Sequence, residues 1–166
     1  MYNRHRTGRK TGTNLKRKET KKMTEQEYFA KRDQIYADYC NTNMRMSERD
    51  ELLSKLNEQR QMELAVGDGV TLRYYSDAEA YTVIKRTASM LVVQRDKATL
   101  DPNFKPEWIA GGFAGHCTNQ NEQTYTYERD PNGSIKKIRF SKKYGAFMFC
   151  DKPILVGRHE FYDYNF

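Results

Sequence analysis

The side chains best suited to metal or nucleophilic chemistry are three cysteines and three histidines, of which His116 and Cys117 are adjacent. A structural zinc site takes four Cys or His ligands, usually as two close pairs, and this chain has a single close pair. Neighbouring residues in extended backbone point to opposite faces, so His116 and Cys117 chelate one ion poorly. We therefore expect no metal site and no cofactor.

A catalytic cysteine needs a general base that folding brings to it, for instance His159 beside Cys117. Nothing in the spacing of these two residues favours such an approach. We expect no catalytic residues: His116 would form hydrogen bonds within its loop, and Cys117 would pack as a small apolar group. An enzyme that acts through the His116/Cys117 loop is the alternative.

The N-terminal segment carries the strongest charge signal. Residues 1–22 contain nine Lys or Arg residues and one acid, whereas the remaining 144 residues contain 20 basic and 21 acidic groups. The segment has almost no apolar side chains whose burial could offset the entropy of ordering, which predicts a disordered basic arm. Its cations suit neutralisation of nucleic-acid phosphates; a solvated tail or contact with an acidic protein surface are the alternatives. The cations are Arg4, Arg6, Arg9, Lys10, Lys16, Arg17, Lys18, Lys21 and Lys22.

A second set of cations is interleaved with aromatic residues in the C-terminal half. Exposed rings beside cations form stacking platforms for single-stranded nucleic acid. The alternative is a core stripe of tyrosines with lysines on the solvent face. We assign to nucleic-acid binding Lys136, Lys137, Arg139, Lys142 and Lys143. We assign to contacts with a partner Trp108, Phe113, Tyr125, Tyr127 and Tyr144.

Two helices are predicted before residue 66. Thr24-Glu25-Gln26-Glu27 is a capping box, so the first helix begins there and runs to about Cys40. Residues 41–46 form a turn, and Ser47 is the N-cap of a second helix with acids in its first turn. Two helices joined by a short loop predict an antiparallel helical hairpin.

A meander of three short strands organises the rest of the chain. Apolar, β-branched runs at 70–74, 81–85 and 90–94 are separated by polar turns. Residues 99–121, which contain two prolines and three of the glycines, are predicted to form a long loop.

The C-terminal part is predicted to add further strands. Residues 123–140 form a β-hairpin around the turn Asp130-Pro131-Asn132-Gly133. Short strands are predicted at 144–150 and 161–166. In the last strand one face, which closes the core or meets a partner, carries Tyr162, Tyr164 and Phe166.

These elements divide the chain into a disordered basic arm (1–22), a helical hairpin (23–65) and a small antiparallel β domain (66–166). The predicted fold class is α+β, with the strands arranged as a barrel-like structure or a sheet. The chain shows no signal peptide and no apolar run that could span a membrane, and its cysteines are odd in number and widely spaced. We expect a cytoplasmic protein with free thiols and no membrane partner.

Several blocks between residues 64 and 166 carry a resemblance to known proteins: Ser76-Asp77, Tyr81-Thr82-Val83-Ile84, Val93-Gln94-Arg95-Asp96-Lys97-Ala98, Gly111-Gly112-Phe113, His116, Asn119-Gln120, Asp130-Pro131-Asn132-Gly133 and Phe161-Tyr162-Asp163-Tyr164-Asn165-Phe166. In these blocks the chain resembles a group of uncharacterised small proteins encoded by tailed phages and prophages. The resemblance implies a phage or mobile-element origin, and it implies no activity and no site residue. The opening of the meander, VGDGVTL, is also similar to small KOW- or Tudor-like β-barrels, which often bind nucleic acid or protein tails.

Together these features predict a non-catalytic phage or mobile-element protein that binds nucleic acid or a nucleoprotein in the cytoplasm of a bacterial host. By analogy, a compact phage protein with a cationic arm suggests an anti-CRISPR inhibitor, a host-defence antagonist that binds a CRISPR effector with its guide RNA. A virion structural or assembly protein, bound through aromatic surfaces, is the alternative among binding proteins.

Overall fold

The computed structural model describes residues 22–111 and 114–165. The predicted basic arm, apart from its last residue Lys22, lies outside the described residues, as do Gly112, Phe113 and Phe166. The described chain forms two helices and an antiparallel sheet that curves into a nearly closed barrel, which confirms the predicted α+β fold class. No helix in these two ranges combines the length and the apolar composition needed to cross a membrane.

The first helix, α1, spans Glu25–Asn41 and begins at the predicted capping box. The Thr24 hydroxyl accepts a hydrogen bond from the Glu27 N–H at 3.1 Å, and the Glu27 carboxylate accepts one from the Thr24 N–H at 2.7 Å. Two N–H groups that the helix cannot satisfy are thus paired. No residue of α1 is buried, so this helix lies on the surface of the molecule.

The second helix, α2, spans Met46–Met62 and begins earlier than predicted. Ser47 is not the N-cap, because Arg45 occupies that position and the Glu48 carboxylate accepts from its N–H at 3.0 Å. The same carboxylate also pairs with the Arg45 guanidinium at 2.6 Å. The Glu48 carboxylate therefore satisfies the N–H of the N-cap residue Arg45, whereas a serine N-cap would accept from N–H groups of the first turn.

The sheet contains eight antiparallel strands, and the path through seven of them is β10-β1-β2-β3-β7-β8-β9. The three strands of the predicted meander are present as β1, β2 and β3, and a separate two-stranded hairpin is formed by β4 and β5. The strand bounds are β1 Gly69–Arg73, β2 Ala78–Arg86, β3 Met90–Leu100, β4 Trp108–Gly111, β5 Ala114–Cys117, β6 Tyr125–Arg129, β7 Ile135–Ser141, β8 Ala146–Phe149, β9 Lys152–Pro153 and β10 Leu155–Val156.

The sheet closes through its last two strands. β9 and β10 follow one another along the chain with only Ile154 between them. Since β9 pairs with β8 and β10 pairs with β1, this short segment joins the two ends of the sheet. We call the junction at Ile154 the barrel seam.

The predicted hairpin over residues 123–140 is wrong, because its two strands do not pair with each other. β6 pairs with the second half of β3, from Asp96 to Leu100, and β7 pairs with the first half, from Met90 to Gln94. β6 and β7 thus run along the same side of β3, one after the other. The Asp130–Gly133 turn does form, with a hydrogen bond of 3.0 Å from the Gly133 N–H to the Asp130 carbonyl, but it bulges out of an interrupted strand.

Residues 99–121 do not form the predicted long loop. β3 continues to Leu100, the β4–β5 hairpin follows, and a 3-10 helix spans Gln120–Glu122. The side chain of Asn119 holds the base of this hairpin, accepting from the Glu107 N–H at 2.8 Å. Side-chain hydrogen bonds at the base of the hairpin thus fix a segment whose composition favours a loop.

The strand predicted at 161–166 is also wrong over its described part. Phe161 forms one isolated bridge with Ala78. Beyond it, backbone N–H groups donate to side-chain oxygens in place of a neighbouring strand: Tyr162 to Gln123, Asp163 to Asp77, and Tyr164 to Gln120.

The main core fills the barrel. Its buried residues are Leu64, Val70, Leu72, Tyr81, Val83, Leu91, Val93, Ile138, Phe147 and Ile154. Full burial of a large apolar side chain contributes about 1.5–3 kcal/mol, so these residues supply most of the favourable folding energy. The C-terminal Tyr162 and Tyr164 do not belong to this core, and Tyr162 remains exposed.

Candidate nucleic-acid interface

The alternation of β7 separates the predicted cations into two groups. Ile138 is buried in the barrel, so the side chains of Lys137 and Arg139 on either side of it point outward. Lys136 lies on the same face as Ile138 and is half-buried. Only two of the three cations predicted on this strand therefore face solvent.

The strand register shows what surrounds the outward cations. Lys137 lies opposite Val92 on β3, and Val92 lies opposite Lys85 on β2. Residues that face each other across antiparallel strands share one face of the sheet, so Lys85 and Lys137 flank Val92. In the neighbouring row Arg139 lies between Met90 and Met148. The outer barrel wall thus alternates cations with apolar side chains.

The turn between β7 and β8 extends this surface. Lys142, Lys143 and Tyr144 are exposed, and the Lys143 ammonium stands 4.9 Å from the centre of the Tyr144 ring. The Phe140 N–H donates to the Ser89 carbonyl at 2.9 Å, so this turn lies at the same end of the barrel as the β2–β3 turn that follows Lys85. We define the basic face as Lys85, Lys137, Arg139, Lys142 and Lys143.

The charge of the basic face is not neutralised by the described part of the chain. None of its five cations forms an ion pair there, whereas Arg45, Lys55, Arg95 and Arg158 each do. The Glu58 carboxylate on α2 borders the backbone of Gly145 in the turn, since a Cβ atom built there would lie 3.1 Å from it. A group of unpaired cations on an open barrel wall attracts anions from solution.

Lys136 has a different role from its neighbours. Its ammonium lies 5.3 Å from the ring centre of Phe149, 5.5 Å from that of Tyr74 and 6.0 Å from that of Tyr81. These distances are typical of cation–π contacts. Lys136 therefore stabilises the end of the barrel and is not available to an external phosphate.

A carboxylate completes the cluster that Lys136 forms with the rings of Tyr74, Tyr81 and Phe149. Glu79 accepts hydrogen bonds from the hydroxyls of Tyr74 at 2.6 Å and Tyr81 at 2.7 Å. Burial acts to raise the pKa of Glu79, but the two tyrosine hydrogen bonds and the charges of Arg95 and Lys136 outweigh burial and hold that pKa below its ordinary value. The cluster is thus an internally satisfied polar network.

Tyr125 and Tyr127 do not form an open stacking platform. Both are half-buried, and both hydroxyls have partners: Tyr125 donates to the Gln123 side chain at 2.7 Å, and Tyr127 accepts from the Glu160 N–H at 3.0 Å. Burial raises the pKa of Tyr125 to about 12. The arrangement matches the alternative in which these tyrosines pack while lysines face solvent, and Tyr144 remains the exposed ring beside the basic face.

The other predicted partner residues lie on the β4–β5 hairpin. Trp108 is 52% exposed, and its ring meets Tyr164 edge-on at 6.2 Å. The C-terminal Asn165 fixes the hairpin, since its side-chain oxygen accepts from the Cys117 N–H at 2.7 Å and its amide donates to the Cys117 carbonyl at 3.2 Å. Phe113 lies outside the described residues.

The hairpin separates the two residues with the clearest potential for chemistry. His116 is exposed, whereas Cys117 is buried, with its thiol 3.5 Å from the Asn119 side-chain oxygen. Within residues 22–111 and 114–165, no group of three or more Cys, His, Asp or Glu residues is placed to hold a metal ion.

Of the predicted arm, the structure describes Lys22 alone. The Lys22 ammonium forms an ion pair with Asp68, and the next residue, Met23, donates its N–H to the Glu63 carboxylate at 2.7 Å. Lys22 is thus bound to the folded part of the chain. The other eight predicted arm cations lie outside the described residues.

Sequence reasoning missed Lys85. Simple alternation places Lys85 on the same face as Tyr81 and Val83, which would turn it toward the core. A register shift between Val83 and Lys85 reverses this, and Lys85 faces outward opposite Val92. A β-bulge of this kind carries no clear signal in a run of β-branched residues.

No protein-family model, curated protein or solved structure matches this chain.

Proposed function

We propose that this protein binds nucleic acid, free or within a nucleoprotein, and does so without catalysis. The observation that carries the proposal is the basic face, which has five exposed cations and no ion pair within the described chain. Each Lys or Arg that contacts a phosphate releases a condensed counterion, and this release supplies most of the binding free energy at low salt.

The composition of the basic face favours contact with the backbone over reading of bases. Its three strand cations, Lys85, Lys137 and Arg139, lie within the sheet itself, beside the apolar side chains of Val92, Met90 and Met148. Phosphate contacts position a protein on nucleic acid and carry no direct sequence information. We expect weak sequence preference, with Tyr144 as a stacking contact for an unpaired base.

A paired charge variant tests the basic face. Lys137→Gln/Arg139→Gln removes two of its cations, and Lys55→Gln/Lys97→Gln removes two cations that pair with Glu51 at 2.7 Å and Glu128 at 3.9 Å. Fluorescence anisotropy with a single-stranded oligonucleotide would measure affinity over a range of salt concentrations. We expect the first variant to bind more weakly, with the slope of log K against log salt reduced by about 1.4, or about 0.7 for each lost contact.

The matched control should keep nearly the parent affinity and slope, because its lysines lie outside the basic face, on α2 and in the second half of β3. Equal losses in the two variants would show that only net charge matters and that the basic face is not a site. Unchanged binding in the first variant would also reject it.

We propose that the basic arm adds further phosphate contacts. Deletion of residues 1–21 keeps the Lys22–Asp68 ion pair and the buried Met23, so it leaves the described contacts of the fold in place. We expect weaker binding and a salt slope lower by about 0.7 for each arm cation engaged. Unchanged affinity and slope after the deletion would reject the role of the arm while leaving the basic face to its own test.

The more specific proposal is a phage-encoded inhibitor that binds a CRISPR effector with its guide RNA in the cytoplasm of a bacterial host. It is supported by the resemblance of residues 64–166 to small phage proteins and by the combination of a basic face with a basic arm. Affinity capture from a bacterial host, with and without nuclease, would test it. We expect an effector protein to be retained after nuclease treatment, because protein contacts add to phosphate contacts. Recovery of nucleic acid with no effector would restrict the function to nucleic-acid binding.

A further inference from the structure

A groove between the helices and the barrel holds a second concentration of arginines. Its volume is about 310 Å³, at the lower end of the range for small-molecule sites. The two helices form one wall, and β1 with residues 155–159 forms the other. The groove borders β10 and β1, whereas the basic face lies on β2, β3 and β7, so the two sites are separate.

Arg60, in the last turn of α2, is the central cation of the groove. Its guanidinium carbon lies 4.1 Å from the centre of the Tyr28 ring, and its Nη1 lies 3.4 Å from the Val156 carbonyl oxygen. It pairs with no carboxylate of the described chain. A guanidinium stacked on a ring keeps its N–H edge free and loses little side-chain entropy when a ligand binds.

Arg32 on α1 repeats this arrangement. Its guanidinium carbon lies 4.7 Å over the Phe29 ring. It pairs with the adjacent Asp33 at 2.7 Å, but both side chains are exposed, at 39% and 64%. Exposed pairs of this kind contribute little, so Arg32 can exchange its partner for a stronger anion.

Arg158, which also lines the groove, is held by two hydrogen-bond partners. Its Nε donates to the Asp96 carboxylate at 2.8 Å, and its Nη2 donates to the Thr82 hydroxyl at 2.7 Å. The side chain crosses Gly69, where a Cβ atom would lie 2.5 Å from its Cγ, so only glycine leaves room for it. Its Nη1 has no hydrogen bond to the described residues and remains a free donor.

The lining of the groove selects a ligand by charge and shape. Three guanidinium groups and the single carboxylate of Glu25 line it; Arg32 and Arg158 also pair with Asp33 and Asp96, whereas Arg60 has no carboxylate partner in the described chain. A carboxylate ligand has only two oxygens to share among three guanidinium groups, whereas a phosphomonoester has three terminal oxygens and a charge of about −1.5 to −2 at neutral pH. We propose that the groove binds a phosphomonoester, as carried by a nucleotide or by the 5′ end of a nucleic-acid strand.

Calorimetric titration of the full chain at low salt tests this directly. The probes are adenosine 5′-monophosphate, inorganic phosphate and adenosine. We expect the nucleotide and inorganic phosphate to bind and adenosine to bind at least about tenfold more weakly than the nucleotide, because a hydrogen bond to a charged group is lost. Equal binding of the nucleotide and adenosine, or no binding of either phosphate at about 1 mM, would overturn the proposal.

A charge-matched pair of variants locates the site. Arg60→Gln should weaken nucleotide binding by at least about tenfold. The control is Arg49→Gln, since Arg49 also lies on α2 and stacks on a ring, 4.6 Å from the centre of Tyr39, but lies outside the groove. Should circular dichroism show that Arg60→Gln does not fold, Arg32→Gln takes its place as the test variant, because substitution of its exposed side chain should leave the fold intact. Equal effects of the Arg60 or Arg32 variant and the control would reject the groove.

Two oligonucleotides distinguish the sources of the phosphate. A strand with a 5′-phosphate and the same strand with a 5′-hydroxyl would compete against the nucleotide in Lys137→Gln/Arg139→Gln, which lacks part of the basic face. If only the phosphorylated strand competes, the ligand of the groove is the 5′ end of a nucleic-acid strand. If neither strand competes, the ligand is a free nucleotide. Equal competition by both strands would reject recognition of a phosphomonoester. This variant has a weakened basic face, so competition for the nucleotide reports on the groove alone. The proposed function is tested separately, by the salt dependence of oligonucleotide binding.

Discussion

The side-chain amide of Gln61 on α2 donates a hydrogen bond to the carbonyl of Ile154 at the barrel seam, over 2.7 Å. Its oxygen accepts a second bond from the Phe147 N–H, also at 2.7 Å, and the residue has no exposed surface. At the seam the Ile154 N–H still donates to the Phe147 carbonyl, but among the described residues the Ile154 carbonyl accepts only from side chains of α2. Gln61, together with the Asn57 amide at 3.1 Å, supplies these bonds and joins the helical hairpin to the barrel.

Gln61→Leu should therefore destabilise the protein by about 1–3 kcal/mol, because the buried Phe147 N–H loses its partner and the Ile154 carbonyl keeps only the bond from the Asn57 amide at 3.1 Å, while the volume is kept. Urea unfolding followed by circular dichroism measures the change. Gln59→Leu, at an exposed position of the same helix, is the control and should change stability by less than about 0.5 kcal/mol. A cost for Gln61→Leu as small as that of the control would contradict the role of the seam contact.

Lys136 and Lys137 are adjacent in sequence and should behave in opposite ways. Lys136→Gln removes a cation enclosed by three rings and should cost about 1–2 kcal/mol of stability, with little change in nucleic-acid affinity. Lys137→Gln should weaken nucleic-acid binding and leave stability nearly unchanged, because its side chain is exposed and unpaired. Urea unfolding measures the stability of both variants, and fluorescence anisotropy measures their affinity for nucleic acid. Equal losses of affinity would show that alternation along β7 does not select the binding cations.

The three cysteines should react with a thiol reagent in two stages. Cys40 and Cys150 are exposed and free, and Cys117 is free but buried. We expect two thiols of the native protein to react with Ellman's reagent at once and the third to react only on unfolding. Asn165→Ala should speed the reaction of Cys117, because Asn165 holds its N–H and carbonyl. Prompt reaction of all three thiols in the native protein would show that the hydrogen bonds between Asn165 and Cys117 do not hold in solution.

Stability should fall at alkaline pH through the buried tyrosines. Burial raises the pKa of Tyr81 to about 12 and that of Tyr125 to about 12, whereas tyrosine in an unfolded chain has a pKa of about 10. Above pH about 10 the unfolded chain releases these protons and the folded chain keeps them. The contribution is thus full below pH about 10 and is lost as the pH rises toward about 12.

Urea unfolding at a series of alkaline pH values would measure this slope. Tyr81→Phe should reduce the slope, whereas Tyr75→Phe, at a side chain that is 85% exposed, should not. Identical slopes for the two variants would contradict the assignment of the alkaline transition to Tyr81.

Local signals in the sequence predicted local structure well. The capping box at Thr24 and the three strands of the meander each depend on residues within a few positions of one another, so they could be recognised without the rest of the chain. The start of α2 was missed by two residues because Ser47 fits the usual preference for an N-cap, whereas Glu48 makes Arg45 an equally good one. Such competition between neighbouring caps is decided by side-chain geometry.

Pairing between distant strands could not be predicted in this way. The Asp130–Gly133 turn has the expected sequence and forms the expected hydrogen bond, yet it does not create a hairpin. β3 is 11 residues long and offers two successive pairing sites on one edge, which β6 and β7 fill in turn. A turn signal determines that the chain bends, and it carries no information on the strand with which the next segment will pair.

By itself, the sequence determined the α+β fold class, the order of the two helices and the first three strands, and the positions of the cations. The tertiary structure decided which cations remain unpaired: Lys136 is enclosed by rings, a bulge turns Lys85 outward, and Arg60 and Arg158 are brought to one groove from segments almost 100 residues apart. The reason is physical. Charge is a property of each residue, but its compensation depends on burial, register and partners that distant parts of the chain supply.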